Sequence, residues 1–291
     1  MRVVLTGASG QLGGYVAQRL CVAGYEAIVW SGTERGERAG VPLWPVDLID
    51  LGAVERALTE ADPAAIIHAA AVSAIDAVRL DPARARAVNV TATRFLANWC
   101  DRHGRRLVYT STDLVFDGRR GWYSEADPPG PVMAYGRTKL EAEEAVLALA
   151  GGIVARTSLM YGPARGGKPT YVDRTVAALL RGEPQTFFED EFRTPLDLAT
   201  AADVLVRLAD SDLAGLVHTG GEERTSRFDL ARRIAGALGL DQTLVKANRQ
   251  ADVAFAEPRP ADVSLDSSLL ATLLPGLRRP TIEEAVTAMT A

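Results

Sequence analysis

The chain has 291 residues, 47% of them apolar and 24% charged, enough to bury a sizeable core in one large unit or in two that share a cleft. Its formal net charge of −5 and pI near 5.4 exclude the basic surface that nucleic acid or an anionic membrane would need. No apolar run approaches the roughly 18 residues of a membrane span, so no nucleic-acid and no membrane partner is expected.

Residues 2–6 (RVVLT) form a short apolar run, and Gly7-Ala-Ser-Gly10-Gln-Leu-Gly13 follows at once, then a helix-like segment through Ala23. Met1-Arg2 leads straight into this strand, too short an apolar stretch for a secretion signal, so a cytoplasmic location is expected. Strand, glycine turn and helix together make a dinucleotide site. Gly7 allows the tight turn, Gly10 lets backbone approach a pyrophosphate, Gly13 permits close packing, and the helix N-terminus offers unpaired N–H groups.

The second strand, 26–30, leads into Ser31-Gly-Thr-Glu-Arg35. An NAD-selective site places an acid here to hold the ribose hydroxyls. Ser31 and Arg35 suit a 2′-phosphate instead, so NADP is expected, with NAD as the alternative because Glu34 and Glu37 are close by. Asp47-Leu48 ends another short strand and would fall beside the adenine. Residues 64–68 (AAIIH) read as a buried parallel strand, running into Ala69, Ala70 and Ala71, small enough for a cofactor to lie against. A long helix over 83–103 is closed by Gly104. Cys21 and Cys100, each inside a helix and without CxxC spacing, read as buried structural thiols of a reducing compartment. His68, His103 and His218 are too scattered for a zinc site.

A strand over 107–111 delivers the hydroxyl of Thr112. Some twenty residues on, Tyr135-Gly-Arg-Thr-Lys139 reads as helix, and four residues rise about 6 Å and advance slightly more than a turn, placing Tyr135 and Lys139 on one face. A nearby ammonium should lower the pKa of a phenol, ordinarily about 10. Thr112 offers a hydroxyl to a reacting carbonyl, and the set suits carbonyl/alcohol interconversion. A strand over 153–157, a loop over 162–169, a helix near 171–181 and a strand over 185–188 follow. After the polar, turn-prone 189–195 come an amphipathic helix (200–210) and a strand (215–218). The remainder reads as helical with a proline-rich break at 257–262. Alternating strands and helices at this spacing predict an α/β fold, a Rossmann-type doubly wound parallel sheet with a smaller interleaved C-terminal α/β substrate domain. The expected division is 1–157, with a returning segment at about 196–220, for the dinucleotide, and 158–195 with 221–291 for the substrate.

TGASGQLG, the HAAA run, STD and YGRTK occur in the order and spacing of the extended short-chain dehydrogenase/reductase family, which the chain resembles over its whole length. Within it, GQLG, YTSTDLVFDG followed by Y-x-E, YGRTKLEAE and RPADVSLDSSLL resemble the dTDP-4-dehydrorhamnose reductase branch. The resemblance implies a catalytic triad of Thr112, Tyr135 and Lys139, with Gly7, Gly10, Gln11, Leu12 and Gly13 at the cofactor. It also implies a nucleotide-diphosphate sugar as substrate and is compatible with a homodimer through sheet-flanking helices. Arg193 and Arg259 match arginines of sugar-nucleotide members and would clamp a diphosphate by forked hydrogen bonds; either could instead pair with an acid such as Glu189 or Asp262. Asp113, Val115 and Phe116 would line the sugar end.

Two features depart from the reductase branch. Glu-Phe-Arg193-Thr-Pro195 stands where a Q-x-G-x-P-T-like turn is usual, and Leu159 where tryptophan often follows RTS. The alternatives are a sugar-nucleotide epimerase or dehydratase, or a non-catalytic NADP-binding regulatory subunit like that of methionine adenosyltransferase.

Overall fold

The computed structural model describes residues 1–165 and 167–290. β1 (Arg2–Thr6) passes through the glycine turn into α1 (Gln11–Val22), and β2 (Glu26–Ser31) leads to the short antiparallel pair β3 (Glu37–Arg38) and β4 (Val41–Pro45). After α2 (Leu51–Ala61) and β5 (Ala65–His68) comes α3 (Ile75–Leu80), where the sequence shows no clear helix signal. The expected helix over 83–103 is three segments. α4 (Pro82–Arg86), capped by the Asp81 side chain, runs through a π turn (Ala87–Thr91) into α5 (Ala92–His103), and left-handed Gly104 closes it.

β6 (Arg106–Thr112), α6 (Ala134–Leu147) and β7 (Gly152–Thr157) follow, then β8 (Met160–Tyr161) and α7 (Tyr171–Leu180). β9 (Gln185–Phe188), β10 (Phe192–Arg193), β11 (Leu196–Asp197), α8 (Leu198–Ala209) and β12 (Gly215–Thr219) come next. The last stretch holds β13 (Thr225–Ser226), α9 (Arg227–Ala237), β14 (Val245–Asn248), α10 (Ser268–Leu273) and α11 (Ile282–Thr290). It is therefore not helical throughout: β14 pairs in parallel with β9, and β13 pairs with β10.

One eight-stranded sheet, ordered β12-β7-β6-β5-β1-β2-β4-β3, organises the chain, and only β3 runs against its neighbour. Successive side chains of a strand face opposite ways, and here both faces are covered, which is why the strands read as unbroken apolar runs. Val3 and Leu5 of β1 pack with α1 and α8; Val4 packs on the other face in the layer that holds α2, α5 and α6. Ile67 and Ile66, Val108 and Leu107, and Ala155 and Val154 divide in the same way. The result is a doubly wound Rossmann-type sheet. Its order switches direction at β1, between β2 and β5, and ligands of such sheets bind beyond the carboxyl ends of the strands at that point.

Residues after β7 add the small pairs β8·β11, β9·β14 and β10·β13, and a separate apolar cluster in which Val172, Leu230, Ile234 and Ile282 meet. Cys100 is buried in the main core, where burial pushes its thiol up to about 12. Cys21, expected to be buried, is exposed, because it lies on the solvent side of α1 while Leu20 turns inward. His68 is wholly buried between the hydroxyls of Thr6 (2.7 Å) and Thr93 (2.9 Å). Burial lowers its pKa to about 3, so it is a neutral bridge between β1, β5 and α5.

Candidate active site

The glycine turn is shaped for a close-lying ligand. Gly7 sits at φ +75°, and a Cβ there would lie 2.7 Å from the backbone nitrogen of Ala70; at Gly13 it would lie 2.1 Å from the Gly7 carbonyl oxygen. Any side chain at either position would push the turn off the sheet. α1 starts directly behind it with no side-chain cap at Gly10, leaving the first N–H groups to a ligand. A cavity of about 610 Å³ opens over this helix end. Of the residues expected at a cofactor, Gly7, Gly10, Gln11, Leu12, Gly13, Ser31, Asp47, Leu48, Ala69, Ala70, Ala71, Tyr135 and Lys139 all line it. Uncapped helix end, glycine cradle and cavity size together fit an extended dinucleotide.

Arg35 does not fit the expectation. It is exposed and absent from the cavity wall, because its turn points outward after β2. Ser31 lines the cavity, but its hydroxyl donates to the Glu34 carbonyl and the residue is 2% exposed. Besides Lys139, the wall carries the cations Arg84 and Lys168, neither singled out by the sequence.

α6 begins at Ala134 and presents Tyr135 and Lys139 one turn apart. Both border the first cavity, and Tyr135 also borders a second, of about 310 Å³, that holds Thr112, Asp113, Arg193 and Arg259. Lys139 is 1% exposed, with its ammonium 4.0 Å from the centre of the Tyr109 ring. Burial pulls its pKa down to about 7, opposed by the carboxylate of Glu143 one turn further along. Glu143 is itself buried and held by Arg156, with Nε at 3.0 Å from Oε1 and Nη2 at 2.7 Å from Oε2, and by the Ser111 hydroxyl.

The expected lowering of the Tyr135 pKa is reversed. Burial first, and the Asp113 carboxylate second, raise the phenol above its ordinary value and keep it protonated. Thr112 donates its hydroxyl to Asp113 Oδ1 (3.2 Å) and accepts from the Leu114 N–H (3.2 Å). Asp113 accepts also from the Ser158 hydroxyl and lies 3.5 Å from Arg193; burial raises its pKa, and the Arg193 charge works against that.

Arg193 and Arg259 do converge, and a third arginine joins them. All three surround Glu191, which is fully buried: Arg193 at 3.0 Å, Arg259 at 2.9 Å and Arg227 at 3.6 Å. Glu189 and Asp262 pair elsewhere, with Arg249 and Arg224. Val115 and Phe116 are absent from the second cavity. The turn after Thr112 swings them into an apolar cluster with Tyr123, Val263 and Leu265, both at 0% exposure. Asn89, in the π turn, went unnoticed in the sequence. Its amide accepts from the Val72 N–H (2.8 Å) and donates to the Val72 carbonyl and the Thr138 hydroxyl (both 3.0 Å), tying the exit of β5 to α6. π turns concentrate at such functional places.

A family model described as the RmlD substrate binding domain matches residues 1–291. The chain is 34% identical to a probable low-salt glycan biosynthesis reductase, Agl14, of Haloferax volcanii, over 100% of this chain and 98% of the relative. It is 32% identical to the methionine adenosyltransferase 2 subunit beta of Bos taurus (96% and 84%). It is 33% identical to a dTDP-4-dehydrorhamnose reductase of Mycobacterium tuberculosis (92% and 84%). Among solved structures, the dTDP-4-dehydrorhamnose reductase of Bacillus anthracis in complex with NADP superposes with a TM-score of 0.87 at 25% identity, over 99% of this chain and 98% of that one.

Proposed function

Because the chain belongs to the family of the RmlD substrate binding domain, we propose that it is an NADPH-dependent reductase of a nucleotide-linked keto sugar, of the dTDP-4-dehydrorhamnose reductase kind, able to use NAD(H) in second place. The observation that carries the reading is the place of Tyr135. Its side chain walls both the dinucleotide cavity and the cavity of the arginines, with Lys139 one turn behind it.

When bound, the nicotinamide supplies the hydride for the carbonyl carbon. Tyr135 then gives its phenolic proton to the developing alkoxide oxygen. A phenol whose pKa is raised by burial and by Asp113 keeps that proton until a stronger base appears, which suits an acid in the direction of reduction. Thr112 turns its hydroxyl proton from Asp113 toward the same oxygen. Lys139, one turn behind the phenol on α6, would hold the nicotinamide ribose. Arg193, Arg227 and Arg259 take the substrate diphosphate, and Asp113 faces the sugar. We read residues 158–195 and 221–291 as the segment that holds the substrate, and 1–157 with about 196–220 as the part that holds the dinucleotide. A cytoplasmic location and a homodimer complete the reading; no helix among the described residues is long and apolar enough to cross a membrane.

The relatives named as subunit beta of methionine adenosyltransferase favour a second reading, a cofactor-binding regulatory subunit, and an epimerase or dehydratase is the third. The test is NADPH oxidation, followed by nicotinamide absorbance, with a dTDP-4-keto-6-deoxy sugar. Wild type should turn over. Tyr135→Phe should lose about 10²–10⁴-fold in kcat, the usual worth of a positioned acid, and still bind NADP⁺. Unchanged turnover in Tyr135→Phe removes the catalytic role of the phenol, and no turnover in wild type despite cofactor binding favours the other readings.

A further inference from the structure

Between β8 and α7, residues 162–165 and 167–170 lie across the glycine turn and are held there from several sides. The Tyr15 hydroxyl of α1 donates to the Pro163 carbonyl (2.8 Å), and the Arg165 guanidinium carbon stands 4.4 Å from the centre of the Tyr15 ring. Asp173 accepts from the backbone N–H groups of Ala164 (2.9 Å) and Thr170 (2.7 Å), and Thr170 donates to the Gly162 carbonyl (2.8 Å), closing both ends of the segment onto α7. Further along, Gly167 approaches the glycine turn so closely that a Cβ would lie 3.1 Å from the Ser9 carbonyl oxygen and 3.3 Å from Arg38 Nη2. Its neighbour Lys168 is exposed and lines the 610 Å³ cavity, whose wall also includes Ser31, Gly32 and Glu34 after β2.

We propose that Lys168 reads the 2′-phosphate of the adenosine ribose and so sets the preference for NADPH over NADH. The inference rests on the dinucleotide reading of this cavity and deepens it. The other candidates are otherwise engaged. The Ser31 hydroxyl is bonded to the Glu34 carbonyl, Arg38 is in an ion pair with Glu34 at 3.0 Å, and Arg35 is exposed outside the wall. Arg84 lines the cavity from α4, whose continuation is tied by Asn89 to Val72 at the exit of β5, on the far side of β1 from Ser31. Lys168 is exposed on the cavity wall, so its charge is available to an entering phosphate. Glu34, whose carboxylate is shared with Arg38, can accept from a free ribose diol, so NADH binding does not depend on the lysine charge.

The experiment is titration calorimetry of the purified protein with NADP⁺ and with NAD⁺, without sugar substrate. Lys168→Met should weaken NADP⁺ by about 10- to 100-fold, the range of one charge-assisted hydrogen bond, and leave NAD⁺ within about twofold. Lys168→Arg should retain most of the preference, and Arg35→Met should alter neither. Equal weakening of both nucleotides would place Lys168 on the pyrophosphate, and no change in either would remove it from the site; both results overturn the proposal. A wild type that binds neither dinucleotide would overturn the cofactor reading itself, and this inference with it.

Discussion

Burial pulls Lys139 from an ordinary 10.5 to about 7, so the folded protein disfavours a charge that the unfolded chain keeps. Between about pH 7 and 10.5 the unfolded state binds the additional proton, and stability from this group rises with pH across that window. The penalty is complete below about pH 7 and gone above 10.5, with a ceiling of about 5 kcal/mol. Lys139→Met removes it. Urea denaturation of ligand-free protein should therefore show wild type gaining on Lys139→Met as pH is raised from 6 towards 10, and a flat difference would mean that the ammonium stays charged in the folded state. The spacing of Tyr135 and Lys139 gave their common face. It gave the wrong direction for the Tyr135 pKa, because i and i+4 say which groups are neighbours and nothing about how much water is left around them. Val115 and Phe116 failed for a related reason: a position two or three residues past a catalytic hydroxyl is only a place in the chain, and the turn decides whether it meets the pocket or the core.

At the scale of elements, α6 must seat at a fixed height for its phenol to border both cavities. Gly136 is where it seats: a Cβ there would fall 2.1 Å from the Leu114 carbonyl oxygen in the turn that follows Thr112. Gly136→Ala should lift the start of the helix away from Thr112. We expect a loss of roughly 2–3 kcal/mol, in the range of overpacked sites, and a fall in kcat larger than any change in NADP⁺ affinity, since Lys139 lies a turn deeper. Calorimetric unfolding and steady-state kinetics together check this; wild-type kcat would show that the helix accommodates the methyl without moving Tyr135. The central strands and the glycine turn could be read from sequence because burial on both faces leaves a strong local mark, apolar at every position. The π turn left none, since Ala-Val-Asn-Val-Thr is ordinary helix composition, and the extra residue is absorbed by Asn89 bonding across to Val72 and Thr138. β14 was hidden because half of it, Lys246 and Ala247, is exposed, so it lacks the apolar run of the central strands.

At the scale of the whole molecule, residues distant in the chain meet around one carboxylate. Glu191 directly precedes β10 and Arg193 ends it, Arg227 opens α9, Arg259 comes from the proline-rich break, and Asp113 reaches Arg193 from just past β6. No local pattern announces such a meeting, which is why Arg227 and Glu191 were not legible while Arg193 and Arg259 were found through resemblance alone. A buried carboxylate among three arginines stabilises the empty site and competes with any diphosphate for the same donors. Glu191→Gln should expose that conflict. With the charge removed, the guanidinium groups repel one another, and the loss of roughly 3 kcal/mol typical of a broken buried pair should lower Tm by roughly 5–10 °C. A nucleoside diphosphate then supplies the missing negative charge, so saturating dTDP should raise the Tm of Glu191→Gln by more than it raises that of wild type. Thermal melts of both proteins with and without dTDP decide the matter. Equal shifts would mean that the arginines serve Glu191 alone and that the diphosphate binds elsewhere; a larger shift in the variant would mean that fold and substrate compete for the same three side chains.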